Sequence, residues 1–148
     1  MSSILAEFAE SIFDRLNRTI DGVDEGELYW TPVAESNSLY WILVHTTRVG
    51  LLLIPQVLEK SHNPEGWDDD YEQEKHSLEE LRRDLIEARK KVVGGLRKLS
   101  DAQLSEGILI WGAKRPLKEV LFGLLGELLH HNGQMAMHRG MYRRSMAG

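Results

Sequence analysis

Apolar residues recur every three or four positions over the first twenty residues of the chain. This spacing places them on one face of an α-helix, which must pack against another element. The pattern stops at the Asp21-Gly22 pair, so the predicted first helix ends there. The residues with this spacing are Ile4, Leu5, Phe8, Ile12, Leu16 and Ile20.

A polar segment separates this helix from the next apolar stretch. Residues 21–38 are rich in Asp, Glu, Gly, Pro and Ser, which predicts a loop with a short turn at 24–28. The polar residues at 36–38 can cap a second helix, because their side-chain oxygens accept hydrogen bonds from the free amides of a first turn. The second helix is predicted over about 39–60, with Pro55 kinking it or ending its regular part.

A capping box opens the predicted third helix. It is formed by Ser77 and Glu80 and precedes a near-heptad apolar stripe that extends to Leu99, as expected of a helix in a bundle. Gly94 and Gly95 interrupt the stripe. They weaken the helix by roughly 1 kcal/mol each and permit the close approach of a neighbouring element.

The last third of the chain predicts a short excursion and a fourth helix. Ser100 and Gln103 form a second capping box, and residues 107–117 are typical of an extended or hairpin-like segment. Pro116 suits the first position of a helix running to about Tyr142. Four amphipathic helices with long connections between each successive pair predict an all-α four-helix bundle.

Composition narrows the possible functions. The chain has 148 residues, 42% of them hydrophobic, which fits one domain over residues 1–148 with a real core. A net charge of -5 argues against a nucleic-acid partner, since such proteins present a basic face to phosphates. The absence of cysteine excludes disulfides, a thiolate metal site and a cysteine nucleophile.

The same composition predicts the cellular location of the protein. No window approaches the roughly 18 to 20 uncharged apolar residues of a membrane span. The N-terminal segment carries acidic residues, where a signal peptide would need a basic start. We therefore expect a soluble, cytoplasmic protein with no membrane partner.

Three residues suggest a metal site. Glu127 and His131 are spaced i, i+4 on the fourth helix, so their side chains lie one turn apart on one face. His45 lies among apolar residues of the second helix and faces the core. Imidazole and carboxylate ligands suit zinc, nickel, iron or manganese. A Glu/His pair at this spacing is also common as a surface ion pair, and a core histidine is often only hydrogen-bonded.

Three short pieces of the sequence resemble the DinB-like proteins, which include the thiol-dependent maleylpyruvate isomerase relatives. They are ELYWTPVAESNSLYWILVHTTRV at 27–49, the pair Glu127 and His131, and HNGQ at 131–134. The resemblance covers nearly the whole chain. It implies an up-down-down-up four-helix bundle that binds a divalent metal through His45, Glu127 and His131. Many members have histidine where this chain has Glu127, and a carboxylate makes the site harder and more tolerant of manganese or iron. Zinc is the first expectation, with nickel, iron and manganese left open.

Four further residues are candidates for the pocket or for supporting contacts: Trp41, Arg48, Gln134 and His138. Trp41 and Arg48 flank His45 along its helix, and Gln134, one turn past the fourth-helix histidine, can hydrogen-bond a ligand imidazole or a metal-bound water. His138, another turn on, lines the pocket mouth or packs near the helix C-terminus. Arg48 or His138 can also orient an anionic substrate. Simple packing explains each residue equally well or better.

The remaining histidines are expected outside the site. His130 lies about 100° around the helix from His131, so the two cannot easily share one ligand point. His62 and His76 flank the acidic loop between the second and third helices, and we expect both to be solvated.

Two classes of function follow. As an enzyme, the protein would be a metal-dependent hydrolase, or a transferase using an external low-molecular-weight thiol such as bacillithiol, mycothiol or glutathione, and would act on a small electrophilic substrate. As a non-catalytic module, it would be a metal-binding stress-response protein. A third interpretation is a plain helical bundle that binds no metal. The resemblance implies a homodimer.

Overall fold

The computed structural model describes residues 1–148 and is mostly helical, with one two-stranded hairpin. The elements in chain order are α1 (Ser2–Ile20), α2 (Glu25–Tyr29), α3 (Leu39–Arg48), a π-helical segment (Val49–Leu53), α4 (Ile54–Leu58), α5 (Leu78–Arg97), α6 (Asp101–Ser105), β1 (Gly107–Ile110), β2 (Ala113–Pro116) and α7 (Leu117–Ala147).

Helix α1 buries most of the face that its apolar spacing predicts. Leu5, Ile12 and Leu16 are fully buried, and the helix packs against α5 and α7. Ile4 departs from the prediction, since it is 62% exposed. Successive helical residues point about 100° apart, and Ile4 lies on the side of Leu5 that faces away from the buried Ala6 and Phe13.

The second long helical stretch changes its winding partway along. Ser38 caps α3 by accepting a hydrogen bond from the Trp41 amide. The change of winding lies in the π-helical segment Val49–Leu53, directly before α4, and not at Pro55 itself. Pro55 stands in the first turn of α4, where a missing N–H is tolerated. The stretch therefore passes Pro55 and ends only at Leu58.

The whole stretch Leu39–Leu58 is long and apolar enough to cross a membrane by length and composition alone. From the sequence we expected no stretch of this length and hydrophobicity. The stretch contains one charged residue, Arg48, and is apolar enough in spite of it. In the structure 61% of the window is buried. Burial of this extent is typical of a core helix in a soluble domain.

Helix α5 begins at the predicted capping box. The Ser77 hydroxyl accepts a hydrogen bond from the Glu80 amide, and the Glu80 carboxylate accepts one from the Ser77 amide. The predicted close approach occurs at Gly95, where an added Cβ would lie 2.7 Å from Cδ1 of Leu58. An added Cβ at Gly94 would meet nothing within 4 Å. Only one of the two glycines is therefore required by packing.

The excursion before the last helix is a β-hairpin. Strands β1 and β2 pair antiparallel, with Ile110 opposite Ala113. Trp111 and Gly112 form the two-residue turn, with φ of 50° and 74°, as a type I′ turn requires. The Trp111 amide donates a hydrogen bond of 2.9 Å to the Pro64 carbonyl. The hairpin is thereby attached to the loop that follows α4.

Helix α7 differs from its prediction at both ends. Pro116 is the residue before the helix, and the helix continues to Ala147, past the expected end at Tyr142. It packs against α1 and α3. The candidate site residues on α7, the predicted fourth helix, therefore lie against those on α3, the start of the predicted second helix.

Candidate functional site

The two histidines predicted to meet do lie together. The rings of His45 on α3 and His131 on α7 have centroids 4.8 Å apart and are perpendicular. His131 is 8% exposed. The packing of α3 against α7 thus places two imidazoles side by side in a largely buried setting.

Each of these rings is held at Nδ1 by an oxygen. Nδ1 of His45 donates to Oε1 of Glu72 at 2.5 Å, and Nδ1 of His131 donates to Oε1 of Gln134 at 2.7 Å. With the proton on Nδ1, the lone pair of a neutral imidazole is on Nε2. Nε2 of His131 is buried and has no hydrogen-bond partner. Histidine ligands of metals are typically held in this way by an acceptor at the other ring nitrogen.

Glu127 lies next to this pair. Its Oε2 is 3.4 Å from Nε2 of His131, and its side chain is 57% exposed. No three His, Asp or Glu side chains converge closely enough in this arrangement to hold a metal ion. The structure therefore brings His45 close to His131 and Glu127 close to His131, but does not place all three carboxylate and imidazole groups around one point.

Trp41 and Arg48, the predicted neighbours of His45, both contribute to its surroundings. The Trp41 ring stacks on that of His45, with centroids 5.3 Å apart and planes 8° from parallel. Arg48 is 3% exposed and donates to both carboxylate oxygens of Asp69, at 3.0 and 2.5 Å. Its guanidinium also lies 2.9 Å above the ring centre of Trp67. These contacts use Nε and one terminal nitrogen of Arg48, while its other terminal nitrogen, Nη1, makes no hydrogen bond.

His138 packs away from these contacts. It is 4% exposed, and its ring meets the edge of Trp30 with centroids 5.3 Å apart. Neither of its ring nitrogens has a hydrogen-bond partner of good geometry. Burial lowers the pKa of His138 below its ordinary value, and the nearby charge of Glu27 and a looser contact with the Trp30 backbone raise it in part. The structure thus favours the packing interpretation of this residue.

The prediction that His62 and His76 are solvated is wrong for His76, whereas His62 is half-buried. His76 is 7% exposed, stacks on Tyr71 and contacts the Tyr71 carbonyl at 2.7 Å. Nε2 of His62 lies 2.8 Å from the carbonyl of Leu109 in β1. The connection between α4 and α5 folds back onto the protein, and its polar composition concealed these contacts.

Two cavities meet at His45. One, of about 210 Å³, is lined by polar groups that include Arg48, Asp69 and Glu72. The other, of about 170 Å³, is mostly hydrophobic and extends to Glu127. Trp67 belongs to both linings, so the loop after α4 forms a wall between the two spaces.

Sequence reasoning missed three residues of this site: Glu72, Trp67 and Trp111. The only signal for the two tryptophans was the presence of large aromatic side chains in otherwise polar connections. Glu72 gave no signal, since it is one of many acids in its segment.

Comparison with known proteins supports the family resemblance. A family model described as the DinB superfamily matches residues 9–135. The crystal structure of a conserved protein from Enterococcus faecalis superposes with a TM-score of 0.75, covering 94% of this chain and 95% of that one. Sequence identity between the two is 17%, so the likeness concerns the fold. No curated protein matches the sequence.

Proposed function

Because the chain belongs to the DinB superfamily, we propose that it binds a divalent metal through His45, His131 and Glu127 and acts on a small electrophilic substrate. The reaction is a metal-dependent hydrolysis or the transfer of a low-molecular-weight thiol. The thiol must come from solution, since the chain has no cysteine. The four long helical stretches, α1, α3 to α4, α5 and α7, form the up-down-down-up bundle that carries the site.

The observation that supports this proposal most directly is the state of the two imidazoles. Both Nδ1 atoms are held by oxygens, and the Nε2 of His131 is buried and makes no hydrogen bond, with Oε2 of Glu127 3.4 Å away. An unpaired buried polar atom costs roughly 1–3 kcal/mol, so its retention favours a role in binding. A cation between the rings would satisfy this nitrogen.

Glu127 completes the ligand set by a side-chain rotation. Its carboxylate is close to His131 and largely exposed, so a change of rotamer meets little resistance. Two nitrogens and one oxygen suit zinc first, and nickel, iron or manganese also. When bound, such a cation supplies Lewis acidity, which makes a strong nucleophile from water or a thiol at neutral pH.

The supporting residues have distinct roles. Glu72 and Gln134 fix the tautomer and orientation of the two rings. Trp41 covers one face of the His45 ring and limits the approach of water. We place the protein in the cytoplasm and expect a homodimer.

Metal analysis tests the ligand set. The untagged protein is loaded with zinc, dialysed and measured by elemental analysis, as wild type and as H45A, H131A and E127A. H130A is the matched control, because His130 is an exposed histidine beside a proposed ligand. We expect one zinc per chain in wild type and H130A, and loss of zinc in H45A and H131A. Zinc content that survives both of these changes would exclude the proposed site.

A second measurement separates the reactions. Cobalt replaces zinc, and the visible spectrum is recorded as bacillithiol, mycothiol or glutathione is added. A spectral shift supports thiol transfer, whereas ester or amide hydrolysis without a shift supports the hydrolase. Stoichiometric metal with neither result favours the non-catalytic stress-response module.

A further inference from the structure

A small hydrophobic cavity opens directly beside the proposed ligands. Its volume is about 170 Å³, and five of its seven lining residues are hydrophobic: Val49, Leu53, Trp67, Trp111 and Leu124. The other two are His45 and Glu127. A group that enters this cavity therefore contacts mainly hydrocarbon, together with two of the proposed metal ligands.

The walls of the cavity come from four separate parts of the chain. Val49 and Leu53 belong to the π-helical segment, and Leu124 precedes Glu127 by three residues on α7. Trp67 and Trp111 come from the loop after α4 and from the hairpin turn. Both tryptophans are about half exposed, at 49% and 56%, so they form the rim through which a ligand enters.

The size of the cavity limits what it can hold. An apolar cavity of about 150 Å³ remains dry and accepts a benzene molecule. The cavity beside His45 is slightly larger, so it accommodates one six-membered ring or a branched aliphatic group of similar size.

The charges around the cavity limit the ligand further. No lysine or arginine lines it, and its one ionisable acid is Glu127. Arg48, which lines the adjacent space, is buried against Asp69. In the metal-free protein, a carboxylate placed in the cavity would lose hydration and face Glu127 with no lysine or arginine in the lining, which is unfavourable.

We propose that this cavity binds an uncharged, benzene-sized apolar group of the substrate. The substrate is then a small compound whose reacting centre adjoins an uncharged aromatic or branched aliphatic group. The reaction itself rests on the proposed function, but the binding of the apolar group depends only on the residues of the cavity.

Ligand-detected fluorine NMR on the metal-free protein tests this inference. The probes are fluorobenzene and 4-fluorobenzoate, which differ by one carboxylate. We expect saturable broadening of the fluorobenzene signal, and binding of 4-fluorobenzoate that is weaker by at least about tenfold, equivalent to about 1.4 kcal/mol. Equal or tighter binding of the benzoate would overturn the preference for a neutral ligand.

Three variants locate the binding. L124F fills the cavity from α7, and W111N removes part of the rim with a residue that tolerates the positive φ of Trp111. L129F is the matched control, because Leu129 is 37% exposed on the same helix and is not a lining residue of this cavity. We expect fluorobenzene binding to be lost in the first two and retained in the control.

The outcomes separate this inference from the metal site. No binding of fluorobenzene to wild type, or binding unchanged in both L124F and W111N, would refute the cavity as a ligand site. Circular dichroism confirms that each variant is folded. The NMR experiment uses the metal-free protein. A failure of fluorobenzene to bind therefore does not affect the test of metal binding, and a failure to bind zinc does not affect the NMR result.

Discussion

Glu72 accepts a hydrogen bond of 2.5 Å from Nδ1 of His45, although the two residues are 27 positions apart. The segment that carries Glu72 is also held by Arg48, which binds Asp69 through two hydrogen bonds and lies over Trp67. The position of Glu72 is therefore set by the loop as a whole. The His45 ring meets a carboxylate that is already in place.

Removing Glu72 should weaken metal binding without removing a ligand. In E72A the His45 ring loses the acceptor that fixes its tautomer and orientation, and such losses typically cost about 10- to 100-fold in metal affinity. Zinc affinity is measured by competition with a chromophoric chelator. E74A is the control, because it removes the same charge from the same loop at an exposed position. Equal affinity in E72A and E74A would contradict a positioning role for Glu72.

A second prediction concerns the buried pair Glu27 and Arg139. Arg139 donates to both oxygens of Glu27, at 2.6 and 3.1 Å, and to the carbonyls of Thr19 and Asp21. R139M leaves the Glu27 carboxylate buried and unpaired, so we expect the free energy of unfolding to fall by about 3–5 kcal/mol. Urea denaturation measures the change.

The corresponding double variant serves as the control for this pair. E27Q/R139M has no charge left to bury, so it should be more stable than R139M alone. A double variant that is less stable than R139M would show that the pair matters through its hydrogen bonds to the backbone and not through charge compensation.

The two adjacent glycines of α5 give a third prediction. G94A should stabilise the protein by about 0.5–1 kcal/mol, because alanine favours the helix and its Cβ meets no neighbour. In G95A the same gain is offset, because the Cβ would be 2.7 Å from Cδ1 of Leu58 and that side chain must move. G95A should therefore be less stable than G94A in thermal or urea denaturation. The reverse order would disprove the required close approach at Gly95.

The fourth prediction concerns the dependence of stability on pH. Burial lowers the pKa of His138 below the ordinary value of 6.5, so the unfolded chain binds this proton more readily than the folded protein does. Stability should therefore decrease as the pH falls below about 6.5, with a slope of at most about 1.4 kcal/mol per pH unit from this residue. In H138F, where phenylalanine can pack against Trp30, the decrease should be smaller. Parallel curves for wild type and H138F between pH 7 and pH 5 would rule out this contribution.

The elements that could be predicted from the sequence are those with local causes. The capping box of Ser77 and Glu80 lies within one helical turn, and it marks the start of α5 correctly. The hairpin turn at Trp111 and Gly112 depends on a glycine that tolerates positive φ. The π-helical segment Val49–Leu53 could not be predicted from the pattern, because its sequence VGLLL suits α-helical and π-helical winding equally well.

The site could be predicted only as far as its residues lie on helices. Periodicity placed His45 and His131 toward the core, and the packing of α3 on α7 brings them together. Glu72 and Trp67 belong to a long acidic connection whose path is decided by tertiary contacts such as that between Arg48 and Asp69. No spacing rule links residues across such a loop, so these two could be found only in the structure.

A π-helical turn contains more residues than an α-helical turn, so the segment Val49–Leu53 acts like one extra residue inserted into a continuous helix. Deleting a residue there, such as Leu51, would restore regular winding and keep the two halves of the stretch in phase, whereas α-helical winding of all the present residues would rotate one half by about 100° relative to the other. His45 could then face α7, or Leu58 could face Gly95, but both could not keep their partners. The wide turn therefore keeps the half that builds the site in phase with the half that packs against α5.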